Sequence, residues 1–442
     1  MSITAERLAA WARGEPAAPV RIELHVTNRC NLRCLFCWQI HADRGLAPAE
    51  IHHDKAVEIV EDAGRIGVRE WIISGGGEPL VRKKTVAEVF RRIKRHEMWG
   101  QLTTNGVLFT PDLIQEMVDL GWDQVQFSID APDAATHNFL RNGPDAFEKA
   151  TRHLELFSNE KARRGATAPY IGINCILTNR IHRRLPEMIS LAHDIGCQLV
   201  FFEPIYSGYL SDVTLDIPRD ERPAMQESIE EALHLADRLG IATNIANFRE
   251  TGLVEKNDFH SVVLGRVADF SATFLNAPCF QPWYLMGIKG NGLAGCCSTF
   301  TTGEFIHDKS LEEIWFGEVF NKTRRDMIRR CLPECCAKCS VVVVLDNEKL
   351  RREVWELMEA DRKAPAPSED DVVEVESERP VDETNSKFMA AEVRRLDAQL
   401  VRLEAVLGER KRVLAQRGAE HQVMENLRAG WLYKLYRLLK GF

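Results

Sequence analysis

Six short apolar runs, separated by amphipathic stretches of helical period, limit what this 442-residue chain can fold into. The runs are 21–26, 70–74, 101–104, 124–129, 170–177 and 199–204. Between them, 55–66, 85–96, 111–120, 146–159 and 186–195 each carry apolar residues on one helical face. Strands that alternate with helices form βα units, because a parallel strand needs a long crossover to return to the same edge. Six such units predict an α/β fold, an open and partial (β/α)6 relative of the eightfold barrel. In that architecture functional side chains gather where the strands end.

The first run leads into Cys30, Cys34 and Cys37, spaced C-x3-C-x2-C. Three thiolates from one short loop can ligate three irons of a cubane cluster and leave the fourth iron open for chemistry. A structural zinc site wants four ligands and usually begins with a C-x2-C pair. Nothing in this loop supplies a fourth.

With Phe36 just before the last cysteine, this loop resembles the signature of the radical S-adenosylmethionine (SAM) enzymes. The resemblance implies a [4Fe–4S] cluster whose open iron is chelated by SAM. One electron then cleaves SAM to methionine and a 5′-deoxyadenosyl radical, which abstracts hydrogen from substrate. It also implies a reductant such as flavodoxin or ferredoxin. A second motif is in register with the first. After the second run, Gly76, Gly77, Glu78 and Pro79 match the family's GGEP turn, which in relatives contacts the SAM amino group. Glycines after a strand let a ligand approach the backbone closely.

Further contacts are read from strand ends. Asn105, in Thr104-Asn105-Gly106, resembles the family's ribose-side turn. Ser128, in Phe-Ser-Ile-Asp130, matches a position that binds the SAM carboxylate or ribose in relatives. His137 and Arg141 form an H-x3-R pattern common in the family, with Arg141 suited to pair with a carboxylate. Glu203 is a lone acid in an apolar strand, the kind of carboxylate that often works in catalysis. Cys175 and Cys197 have no partner pattern and read as core.

Seven cysteines recur later, at 279, 296, 297, 331, 335, 336 and 339. Cys279 and Cys297 flank a Gly-containing stretch, 287–292, that reads as a hairpin, and Cys336 and Cys339 make a C-x2-C pair suited to an Fe–S cluster or zinc. Strand alternation would let only one of Cys296 and Cys297 reach a given metal. The pattern C-x12-G-x4-C, a gap, then C-x2-C resembles the Twitch domain, a shortened SPASM domain. That resemblance implies an auxiliary [4Fe–4S] cluster on Cys279, Cys297, Cys336 and Cys339. It leaves open whether Cys296, Cys331 or Cys335 replaces one of them. Zinc remains the alternative occupant.

The organisation expected is therefore an N-terminal extension (1–19), a radical SAM core (20–240), a Twitch-like domain (241–346) and a helix (347–363). An acidic linker (364–387), a coiled coil (388–426) and a basic amphipathic helix (427–442) follow. The linker lacks apolar periodicity, and the coil repeats apolar residues with 4-3 spacing. The coil suits a homodimer or a partner helix, and the basic terminal helix suits peripheral contact with an anionic membrane. A net charge of −8 without a basic block argues against nucleic acid as partner. No apolar segment approaches a membrane span or a secretory h-region, so the expected compartment is the reducing cytoplasm. The function expected is radical oxidation of a small molecule such as a sugar or aminocyclitol, with the auxiliary cluster accepting an electron. The alternative is a maturase of a ribosomal peptide or protein side chain. It is disfavoured because about twenty residues before the barrel leave no room for a peptide-recognition domain.

Overall fold

A computed structural model describes residues 2–37, 50–205, 214–249, 274–297, 301–307, 309–333, 336, 339 and 341–363. The linker, the coiled coil, the terminal helix and Cys335 lie outside them. The described residues fall in one compact unit, 1–364.

Six parallel strands follow one another in order: β1 Arg21–His25, β2 Glu70–Ser74, β3 Trp99–Thr104, β4 Gln124–Ser128, β5 Tyr170–Leu177 and β6 Leu199–Pro204. The helices of the βα units are α2 His53–Ile66, α3 Lys83–Arg95, α4 Pro111–Asp119, α5 Ala134–Arg141, α6 Ala146–Arg164, α7 Leu185–Asp194 and α8 Arg222–Leu239. They follow α1, Ile3–Ala12, which precedes the sheet. A two-residue strand, β7 Ala242–Thr243, adds to the β6 edge, so the core runs past the boundary expected at 240. The fold is the expected partial barrel, whose two outer strands are not hydrogen-bonded to each other.

Burial alternates along these strands. One face, including Leu24, Ile73, Leu102, Val125, Ile173 and Val200, is fully buried against the helices. There Trp71, Phe90, Trp122, Phe127, Phe157 and Phe202 fill the layer between sheet and helices. Each fully buried aromatic or aliphatic side chain contributes roughly 1.5–3 kcal/mol. The other face carries Glu23, Ser74, Gln101, Thr103, Ser128, Asn174 and Glu203, all partly accessible. Parallel strands are usually apolar on both faces, and closed barrels fill their interior with branched side chains. A polar, accessible inner face marks this barrel as a chamber rather than a packed core.

The second half of the unit joins the same sheet. Helix α9 (Gln281–Tyr284) leads into β8 (Leu285–Ile288), which pairs in parallel with β1. Strands β9 (Leu293–Gly295) and β10 (Thr301–Phe305) continue it antiparallel, giving ten strands in the order 10-9-8-1-2-3-4-5-6-7. The hairpin read around 287–292 is therefore present, but it extends the barrel sheet instead of standing apart. Helices α10 (Leu311–Trp315), opened by a Ser310–Glu313 capping box, and α11 (Glu318–Ile328) follow. Helix α12 runs Val341–Lys363, six residues longer at its start than the 347–363 expected from the sequence.

Candidate functional site

The cysteine loop leaves β1 and is stitched at once to the end of β2. Gly77 N–H donates to Thr27 O (2.8 Å) and Glu78 N–H to Arg29 O (2.9 Å). A Cβ at Gly77 would stand 2.0 Å from Arg29 O, so only glycine allows this approach. Replacing Gly77 by alanine is expected to cost about 1–3 kcal/mol of stability, as forced overpacking does. Urea unfolding of the apoprotein measures it.

Glu78 is buried and ties three strand ends together. It accepts from Thr104 Oγ1 (2.7 Å), Asn105 N–H (2.8 Å) and Leu80 N–H (3.0 Å). Burial raises its pKa, against the opposing pull of those donors. Asn105 Nδ2 in turn donates to Asn31 Oδ1 (2.8 Å) inside the cysteine loop. The GGEP turn, the Thr-Asn-Gly turn and the cysteine loop thus form one rigid shelf at the strand ends.

Cys30, Cys34 and Cys37 lie on this shelf, packed with Leu32, Phe36, Val107 and Ala146. Burial pushes the Cys34 thiol up to about 11, while the charge of Arg141 pulls the other way. Arg141 Nη1 lies 3.7 Å from Cys34 Sγ, its guanidinium sits 5.2 Å from the Phe36 ring centroid, and Nε bonds Asp130. Asp130 is fully buried and also accepts from Ile176 N–H (3.0 Å). His137 Nδ1 accepts from Asp130 N–H (3.1 Å), and burial holds the ring neutral by lowering its pKa to about 4. The H-x3-R pair therefore braces the Asp130 turn against the cysteine loop, with Asp130 as the carboxylate bonded to Arg141. Pro79 is buried and opens the short turn after Glu78. Gly76 lies in the bend between β2 and Glu78, and Ser128 pairs in register with Asn174.

The donor set fits a cluster. Three thiols share one loop beside a buried cation, Arg141, whose charge favours the thiolate form against the cost of burial. Among the described residues no three Cys, His, Asp or Glu side chains form a group that could hold one metal ion. A cubane makes no such demand, since each thiolate binds its own iron.

The chamber below the shelf contains residues the sequence reading missed. His25 Nε2 lies 3.1 Å from Glu23 Oε1, and Ser74 Oγ donates to the same oxygen (3.0 Å). Burial alone would raise the Glu23 pKa. The His25 bond, the charges of His25 and Lys289, and the Ser74 bond outweigh it and bring Glu23 down to about 2. On another part of the wall Asn174 Nδ2 donates to Glu203 Oε1 (3.5 Å). Burial raises the Glu203 pKa despite that bond, and the charges of Glu23 and Asp130 add to the rise. One carboxylate is held ionised and the other is pushed toward neutrality, the division found at acid–base sites. The signal for Glu23 was present in β1, where Arg-Ile-Glu-Leu-His alternates polar and apolar in a strand that should be apolar throughout.

The second cysteine set also converges. Burial pushes the Cys279 thiol up, and Cys339, Cys297 and Cys336 act on it as neighbours. Cys296 is buried, and its free thiol hydrogen-bonds with that of Cys297. Both follow the last residue of β9, so the strand alternation invoked to separate them does not apply. Cys331 is exposed, its thiol 3.9 Å from Arg329 O. Cys175 and Cys197 are buried in the core, as expected.

Residues 24–174 match the family model described as the radical SAM superfamily. The chain is 24% identical over 330 residues to the tungsten-containing aldehyde ferredoxin oxidoreductase cofactor-modifying protein of Pyrococcus furiosus, covering 72% of this chain and 86% of that one. It is 29% identical over 200 residues to the mycofactocin maturase MftC of Mycolicibacterium smegmatis, covering 45% of this chain and 48% of that one. The crystal structure of Streptococcus suis SuiB bound to precursor peptide SuiA aligns with a TM-score of 0.54 at 16% identity, over 72% of this chain and 70% of that one. A [4Fe–4S] cluster and SAM are the cofactors of the matched family. By that match, residues 24–174 are a radical SAM domain.

Proposed function

We propose that this protein oxidises its substrate by hydrogen abstraction inside the polar chamber and passes the remaining electron to an auxiliary cluster. The observation that carries the reading is the pairing of the cysteine shelf with a second converged cysteine set, whose Cys297 follows β9 of the same sheet. Cys30, Cys34 and Cys37 hold the first cluster, with Phe36 and Arg141 packed beside them. Gly76, Gly77, Glu78, Pro79, Asn105 and Ser128 form the SAM side of the shelf. Cys279, Cys297, Cys336 and Cys339 hold the auxiliary [4Fe–4S] cluster in a Twitch-like domain. When bound, these groups supply one-electron cleavage of SAM, hydrogen-atom abstraction and an electron acceptor.

Glu203 is the proton acceptor. An alcohol becomes a carbonyl by losing a hydrogen atom from carbon, the hydroxyl proton to Glu203 and one electron, which a cluster held by Cys279, Cys297, Cys336 and Cys339 would accept. A sugar or aminocyclitol fits this scheme and a polar chamber. Glu203 must be ionised to act, so product formation rises with pH through its raised pKa. Glu203→Gln is expected to lower product formation by about 10²–10⁴-fold, the usual worth of a general base. Release of 5′-deoxyadenosine should continue in that variant, and chromatography of both products separates the two effects.

A second reading is peptide maturation. It is supported by the likeness to the mycofactocin maturase and by the fold shared with peptide-bound SuiB. Incubation with deuterated metabolite extract and, separately, deuterated peptide extract distinguishes the readings. Deuterium appears in 5′-deoxyadenosine only with the extract that contains the substrate. No deuterium transfer from the metabolite extract would sink the small-molecule reading.

A further inference from the structure

Cys279 and the Cys336–Cys339 pair are far apart in sequence, and closing so long a loop costs entropy that something must offset. Helix α12 starts two positions after Cys339. On this helix Asn347 and Arg351 are four residues apart, hence on one face. Both are buried, at 3% and 5% exposure. Asn347 Oδ1 accepts from Phe280 N–H (2.7 Å), and Asn347 Nδ2 is fixed by Val343 O (2.6 Å). Arg351 Nη2 donates to Ala277 O (2.8 Å), Nη1 bonds Leu275 O, and the guanidinium lies 4.8 Å from the Phe280 ring centroid. Apart from the bond to Val343 within the helix, these bonds go to the backbone on either side of Cys279. The helix is held from outside by the N-cap of α1, where Ser2 Oγ donates to Glu353 Oε2 (2.7 Å), and Val354 packs with Leu275 and Phe280.

We propose that α12 is a splint for the second cysteine set, in which Asn347 and Arg351 are positioning residues that present Cys279 to Cys336 and Cys339. This rests on the auxiliary cluster proposed above. The fork geometry of arginine suits the task, since one guanidinium spans two carbonyls that lysine could not bridge in a fixed arrangement. Its charge also stands near Cys279, and a fixed cation there favours the reduced state of a bound cluster.

The test uses the full chain reconstituted with iron and sulfide. If both sites hold [4Fe–4S] clusters, wild type carries about eight irons. Asn347→Ala and Arg351→Gln should keep the first site, read from its SAM-dependent EPR signal, and lose at least about half of the second site's iron. Any second cluster that remains in Arg351→Gln should have a more negative midpoint potential, while Arg351→Lys restores the potential but not full occupancy. In the apoprotein, exchange of the Phe280 amide should speed by about tenfold in Asn347→Ala, the worth of one hydrogen bond. Full second-site iron and an unchanged potential in both Asn347→Ala and Arg351→Gln would overturn the splint. A wild-type chain with only the first site's iron would overturn the auxiliary cluster itself, and the Phe280 exchange separates the two failures.

Discussion

With Cys30, Cys34 and Cys37 replaced by alanine, iron is expected to fall from about eight to about four per chain, and SAM cleavage to background. The size of the loss follows from the shelf. The three thiols are the only cysteines of the loop, and Arg141, Phe36 and the GGEP turn are packed around them. No neighbouring cysteine can substitute, because Cys175 faces the sheet–helix core and is fully buried there. Retention of the auxiliary signal in the triple variant shows that the loss is local. Iron analysis with EPR before and after adding SAM checks both parts, and an unchanged iron content sinks the ligand assignment.

Arg141→Met is expected to destabilise the folded apoprotein by about 3–5 kcal/mol, the cost of leaving a buried charge without its partner. Asp130 is fully buried, and Arg141 is the cation bonded to it. Its remaining donor to that carboxylate is the Ile176 amide, which does not neutralise charge. The double variant Arg141→Met, Asp130→Asn should recover much of the loss, because the carboxamide carries no charge and still accepts from Ile176. Urea unfolding of the single and double variants measures the coupling. A single variant within about 0.5 kcal/mol of wild type would place Arg141 at a solvated surface instead.

The site was legible to different depths. The cysteine loop and the GGEP turn could be read directly, since each is a short contiguous segment whose chemistry is carried by residue type and spacing. Arg141 was placed near the right site, but its bond to Asp130 was not foreseen. Its pattern showed a cation close to the cysteine loop, but Asp130, which claims it, meets it only through the turn between β4 and α5. Glu23 and His25 were passed over because apolar β1 was read as a run. Their significance lies in facing a hollow interior, which is a property of the curved set of strands as a whole. Glu203 was identified as an odd acid, and only packing showed that Asn174 touches it while burial and the Glu23 charge raise its pKa.

By itself the sequence determined the alternation that makes a partial barrel, the loop that can hold a reactive cluster and the turn that meets it. These are local, because hydrophobic period, glycine placement and ligand spacing act over a few residues. Only the tertiary structure decided that β8 joins β1, so that Cys297, which follows β9, and the cysteine loop, which follows β1, leave the same sheet. It alone decided that α12 reaches back to the backbone around Cys279. Those contacts join segments far apart in the chain. No local pattern encodes them, because they come from which buried surfaces and hydrogen-bonding groups find each other when the whole unit packs.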